Sequence, residues 1–151
     1  FNIVSFQKKG GSYLIEYNQD SRYHEVIKSL LRADNQPLEK AAREYAEALA
    51  QDDAYEDRIR SIVLFGSVAR GTAGPNSDID ILVLTEKDAD IEEVKKEARN
   101  YAEQMDLEAE LVPVVEDAKE FRNNLVHGKR FETNVKTDSI VLEGEDLEFE
   151  D

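Results

Sequence analysis

The sequence has no cysteine and no tryptophan, one methionine, three prolines and two histidines. Without thiols there is neither a disulfide framework nor a thiolate metal site. His24 and His127 lie far apart along the chain, so a histidine-based zinc cluster is not expected. No apolar run approaches the roughly 18 residues of a membrane span, and the N-terminus lacks a signal-peptide pattern. A cytoplasmic location without a membrane partner follows as the expectation. Phe1 rather than methionine opens the chain, as in a fragment or a processed form.

Positive charge is also scarce. Nineteen basic residues face 34 acidic ones, for a net charge of −15. Such a surface repels nucleic acid at ordinary salt. The acidic residues are spread along the whole chain, which suggests a halophilic protein whose surroundings screen that repulsion. Acidity therefore does not exclude a nucleic-acid partner. What remains, 40% hydrophobic content over 151 residues, can supply a core for one domain with a small appendage.

The most informative stretch runs from Ile62 to Leu84. Ile62-Val63-Leu64-Phe65 reads as a buried strand, Gly66-Ser67-Val68-Ala69-Arg70-Gly71 as a glycine-bounded turn, and Ile79 to Leu84 as a second apolar strand entered through Asp78 and Asp80. Side chains alternate along a strand, so Asp78 and Asp80 share one face while Ile79, Ile81 and Val83 share the other. Two adjacent carboxylates repel each other unless a cation sits between them. Oxygen-only ligands suit Mg²⁺ or Mn²⁺, which keep waters and bind carboxylates together with substrate phosphates. Gly66 lacks the Cβ that would hold a phosphate off the backbone. Ser67 is expected to cap a short helix through Arg70, whose start would hold an anion, and Arg70 adds a planar donor fork. The segment nearly spells a Walker loop, but Thr72 stands where that motif needs lysine.

Gly66-Ser67, ten residues, then Asp78-Ile79-Asp80 resembles the signature of the nucleotidyltransferase superfamily related to DNA polymerase β. The match is to its minimal, MNT-type branch, whose members often carry G-S-x-A-R-G and S-D-I-D as this chain does. Asp-x-Asp alone is commonly a solvated strand end, and the combination at this spacing carries the resemblance. It implies an α/β (α+β) fold, a small mixed sheet flanked by helices, with two divalent ions (Mg²⁺ or Mn²⁺) held by Asp78, Asp80 and a third carboxylate. It also implies Gly66, Ser67, Arg70 and Ser77 on the nucleotide. The reaction implied moves an NMP from an NTP to an acceptor hydroxyl with release of pyrophosphate. The acceptor stays open among small molecules, protein hydroxyls and RNA ends.

The third carboxylate is expected on a strand from Leu107 to Val115. Glu108 and Glu110 point the same way there, and the family's apolar-acid-apolar-apolar pattern favours Glu110, although most members of this branch carry aspartate. The amphipathic repeat of Ile91, Val94, Ala98, Tyr101 and Met105 predicts a helix between the second and third strands.

Upstream, Ile3 to Phe6 and Tyr13 to Tyr17 read as strands joined by a turn over Gln7–Ser12, followed by a helix from Tyr23 to Leu31. This resembles the wing and last helix of a winged-helix domain, which would bring DNA in as a partner. Pro37 is expected in the first turn of a separate helix through Leu49. The expected organisation is a hairpin-helix appendage over 1–35, a nucleotidyltransferase domain over 36–144 and an acidic tail over 145–151 with no reason to be ordered. Near the end, Arg122 and His127 match the R-x4-H spacing of HEPN toxins, the partners of MNT antitoxins. That match reads as coincidence, with His127 a helix C-cap beside Gly128. A regulator or antitoxin acting mainly by binding nucleotide, DNA or a HEPN toxin is the competing reading. A homodimer is compatible with either.

Overall fold

The computed structural model describes residues 4–9, 12–17, 24–74 and 76–147, with side chains from Gln36 onward. The chain divides into two compact units, Phe1–Asp34 and Asn35–Asp151. In the first, β1 (Val4–Lys9) and β2 (Ser12–Tyr17) form an antiparallel hairpin with Val4 opposite Tyr17 and Lys9 opposite Ser12. The expected turn over Gln7–Ser12 is thus too long. Gln7, Lys8 and Lys9 continue the ladder, with Lys9 paired to Ser12, and Gly10 and Gly11 lie outside the described residues. Asn18 to Tyr23 lie outside the described residues.

Helix α1 runs His24–Ala50 with Pro37 inside it. The separate helix expected to open at Pro37 is therefore a continuation. A proline removes one rung, here to the carbonyl of residue 33, but its φ is helical, and the missing rung falls at the border of the two units.

The second unit is built on a four-stranded mixed sheet in the order β5-β4-β3-β6. Its strands are β3 (Ile59–Phe65), β4 (Ile79–Thr85), β5 (Leu111–Asp117) and β6 (Ile140–Gly144). β3 pairs antiparallel with β4 and β6, and β4 pairs parallel with β5. The parallel pair needs a crossover, supplied by α3 (Ile91–Gln104), whose N-cap Asp90 accepts from the amides of Glu92 and Glu93.

The central strands are apolar on both faces because both are covered. Ile62, Leu64, Ile79, Ile81 and Val83 pack with Ala42, Tyr45 and Leu49 of α1 and with Val94 and Ala98 of α3. The Tyr45 hydroxyl donates to the Ala98 carbonyl at 2.9 Å, and burial pushes its ionisation upward. Val63, Leu82 and Leu84 face the other way, against Ala118 and Phe121 of α4 (Ala118–Val126) and Val135 of α5 (Arg130–Asp138). Helix α4 ends in a glycine cap: Gly128 has φ +67, its amide donates to Leu125 and that of Lys129 to Asn124.

The acidic tail needs correction over its first residues. The Ser61 hydroxyl donates to the Glu145 carbonyl at 2.7 Å, Arg60 Nε to Glu145 Oε2 at 3.0 Å, and Leu147 is only 5% exposed within the α4–α5 core. An apolar side chain three residues past β6 is enough to hold the backbone down. Residues 148–151 lie outside the described residues.

Candidate active site

Asp80 stands opposite Phe65 in the β3–β4 ladder, at the end of β3 where the chain turns into the short helix α2 (Gly66–Arg70). It shares a face with Leu82 and Leu84 by alternation, on the side of the sheet covered by α4 and α5. Gly66 has φ +76, and a Cβ built there would stand 2.4 Å from Asp80 Oδ2. The glycine is therefore required twice, by a backbone conformation that other residues rarely adopt and by the carboxylate that occupies the space. Sequence reasoning gave this space to a phosphate; the neighbour in the structure is the aspartate itself.

Burial raises the proton affinity of Asp80 above the ordinary aspartate value of 3.8, the charge of Asp78 raises it further, and Arg70 opposes both. Neither carboxylate accepts a hydrogen bond among the described residues. A close carboxylate pair with so little internal compensation is electrostatically unsatisfied, and its oxygen-only donors fit Mg²⁺ or Mn²⁺. Among the described residues no three His, Cys, Asp or Glu side chains converge to form a ready-made cage.

Ser67 does not cap α2. The helix starts two residues earlier than such a cap requires, with extended Phe65 as N-cap and no side-chain cap. The helix closes instead at its other end, where Gly71 (φ +73) donates to the Val68 carbonyl at 3.1 Å and the Thr72 amide donates to the Ser67 carbonyl at 2.9 Å. Ser77 Oγ accepts from the Gly74 amide at 2.8 Å and the Ser77 amide donates back to Gly74 at 3.1 Å. Its hydroxyl thus folds the loop that delivers Asp78.

The third-carboxylate strand begins later than expected. Leu107 to Glu110 are irregular, and β5 starts at Leu111. Glu108 is thereby removed from the alternation that made it equivalent to Glu110. Glu110 remains tied to the site through its carbonyl, which accepts from the Ile79 amide at 2.8 Å, and the parallel register of Asp80 with Val112 sets residue 110 alongside Asp78. Its side chain is exposed and lines a groove with Arg99, Met105, Leu107 and Val112 on the outer side of β5. The structure thus gathers Gly66, Arg70, Asp78 and Asp80, while Glu110 stands beside them without closing a three-carboxylate group.

Away from this site, His127 Nδ1 bonds the Asn123 carbonyl at 2.7 Å, as a C-terminal cap does.

A model of the nucleotidyltransferase domain matches residues 42–141, about two thirds of the chain. The chain belongs to the nucleotidyltransferase domain family. Its match covers α1 from Ala42 through the start of β6 and so includes the glycine turn and both aspartates. A relative from Methanocaldococcus jannaschii named "Putative protein adenylyltransferase" is 48% identical over 52 residues, 34% of this chain and 50% of that protein. The match thus spans half the length of that curated relative. Two solved structures are similar to parts of this chain. One, "a putative nucleotidyltransferase from Sulfolobus solfataricus", has a TM-score of 0.47 and 20% identity over 74% of this chain and 85% of that one. The other, a "toxin-antitoxin with AMP-PNP", has a TM-score of 0.46 and 24% identity over 69% and 74%. Among the described residues no helix of this nucleotidyltransferase domain protein is long and apolar enough to cross a membrane.

Proposed function

We propose that the chain is a metal-dependent nucleotidyltransferase that moves AMP from ATP to a hydroxyl, with a protein hydroxyl as acceptor class. The observation that carries the proposal is the Asp78/Asp80 pair, uncompensated by hydrogen bonds and with the Asp80 carboxylate lodged in the space that a Gly66 Cβ would fill. The choice of AMP and of a protein acceptor is supported by the name of the M. jannaschii relative, over the half of that protein that matches.

In this scheme Asp78 and Asp80 would hold the divalent ions, and Glu110, beside them in register, would join as third ligand once the ions are bound. Ions bound there supply charge neutralisation and Lewis acidity for in-line displacement at phosphorus. Arg70, exposed and at the end of α2, donates to phosphate oxygens, and the Ser67 hydroxyl, not used as a cap, donates beside it. The acceptor oxygen attacks the α-phosphorus, the bond to the bridging oxygen breaks, and pyrophosphate leaves. Glu110, solvent-exposed at the groove, takes the acceptor's proton where it is not engaged as a ligand.

The test is transfer of labelled AMP from ATP to protein, with Mg²⁺ present or chelated, in high salt to suit an acidic surface. Labelled protein that disappears with chelator and with Asp78→Asn supports the reading. Nucleotide binding without any transfer would favour the binding-protein alternative, a regulator or antitoxin.

A further inference from the structure

Beside the carboxylates stands an aromatic pair that the scheme above does not use. Phe65, opposite Asp80 in the ladder, meets Phe131 edge to face, with ring centroids 5.6 Å apart and planes at 90°. Phe131 lies in the first turn of α5, which packs against α2, the helix opened by Gly66. Helix α5 is anchored in the core by Glu132 and Val135, both buried, so the fold does not depend on Phe131 for that. Yet Phe131 is 39% exposed as a residue, at a position where a polar side chain would sit in water without penalty.

The positions form a short sequence in space: paired carboxylates, then the cross-strand neighbour Phe65, then its ring neighbour Phe131. A nucleotide has the same order of chemistry, charged phosphates at one end and a planar ring at the other. We propose that Phe131, braced by Phe65, is the platform on which the nucleobase of the bound nucleotide stacks. This rests on the nucleotidyl-transfer reading and adds the base subsite to it. A ring platform binds any base through its π face and ranks them by stacking strength, purines above pyrimidines, rather than by hydrogen-bond readout. In a protein of net charge −15 it also holds the base without adding charge.

The experiment is calorimetric titration of Mg-ATP, Mg-UTP and Mg-tripolyphosphate into wild type, Phe131→Leu and Phe131→Tyr, with thermal melting of each. Leucine keeps apolar packing against Phe65 and removes the π face; tyrosine keeps both. Phe131→Leu is expected to lose about 5- to 150-fold in ATP affinity, the range of one stacked base, and less for UTP. Tripolyphosphate affinity should stay unchanged, and Phe131→Tyr should match wild type. Wild-type ATP affinity in Phe131→Leu, or an equal loss on tripolyphosphate, overturns the platform while the phosphate site stands. If the wild type binds neither ATP nor tripolyphosphate, the nucleotidyl-transfer reading fails and the platform with it.

Discussion

Two carboxylate pairs lie toward one face of the sheet and have been treated in opposite ways by the rest of the molecule. Asp80 of β4 and Glu116 of β5 share that face, since Glu116 stands in register with Leu84. Each has its proton affinity raised, by burial first and by a neighbouring carboxylate second, Asp78 in one case and Glu132 in the other. Around Glu116 the protein supplies the remedy itself. Asn124 Nδ2 donates to Glu132 Oε1 at 2.8 Å and to Glu116 Oε1 at 3.3 Å, Lys129 adds a positive charge, and Glu132 is only 4% exposed. Around Asp80 Arg70 likewise adds a positive charge, but among the described residues no amide arrives, and Gly66 clears space instead. A pair closed by an internal donor is a structural joint between β5, α4 and α5; the pair left open is the one to which the proposed function assigns the cations.

The widest separation between the two should come from charge removal. Asp78→Asn and Asp80→Asn are expected to lower AMP transfer by about 10³-fold or more, since the charge that positions the ions is gone. In the absence of metal, Asp80→Asn should melt at the wild-type temperature or about 2–4 °C above it, because repulsion and burial of the charge are relieved. A large loss of stability in Asp80→Asn would place this pair in the same class as Glu116/Glu132.

Next in size is Gly66→Ala. The added Cβ meets Asp80 Oδ2 in a backbone with φ +76, so a loss of about 1–3 kcal/mol in urea unfolding is expected, together with impaired transfer. Asn124→Leu should cost about 1–3 kcal/mol as well, by leaving the buried Glu132 and the half-buried Glu116 without their shared donor, yet Mg-ATP affinity should not move. An effect of Asn124→Leu on nucleotide binding that exceeds its effect on stability would erase the distinction drawn here.

The smallest effect is the pH dependence. Because the folded state raises the pKa of Glu116 above its ordinary 4.5, the native protein holds more protons than the unfolded chain between that value and the raised one. This group therefore contributes stability as pH falls through that window and loses it as pH rises, the reverse of an ion-paired carboxylate. Urea unfolding of wild type against Glu116→Gln across mildly acid pH should reveal that segment of the profile, and it should vanish in the variant. By the same sign, protons compete for Asp80 at higher pH than for an ordinary aspartate, so Mg-ATP affinity should start to fall early on acidification.

The joint and the site were unequally legible in the sequence. The β3-turn-β4 stretch could be read because its signals are local: apolar runs of strand length, Gly66, and two aspartates whose spacing fixes a shared face. The apolar positions of α3, such as Val94 and Ala98, were legible through periodicity for the same reason. Pro37 misled, because a proline marks a missing rung equally well at the start of a helix and inside one. Glu108 was retained beside Glu110 because alternation assumes a strand, and only the pairing of β5 with β4 reveals that the strand starts at Leu111. Asn124 between Glu116 and Glu132, Phe131 against Phe65, and Leu147 in the core escaped altogether. Each is a side-chain contact made across elements, and no spacing along the chain encodes it.

The most direct test of the open pair is calorimetric titration of ATP into wild type and Asp80→Asn, with and without Mg²⁺, in high salt. Wild-type binding that requires Mg²⁺ and disappears in an Asp80→Asn protein that still melts cooperatively is the predicted result. Equal ATP binding by the two proteins, or binding indifferent to Mg²⁺, would contradict it.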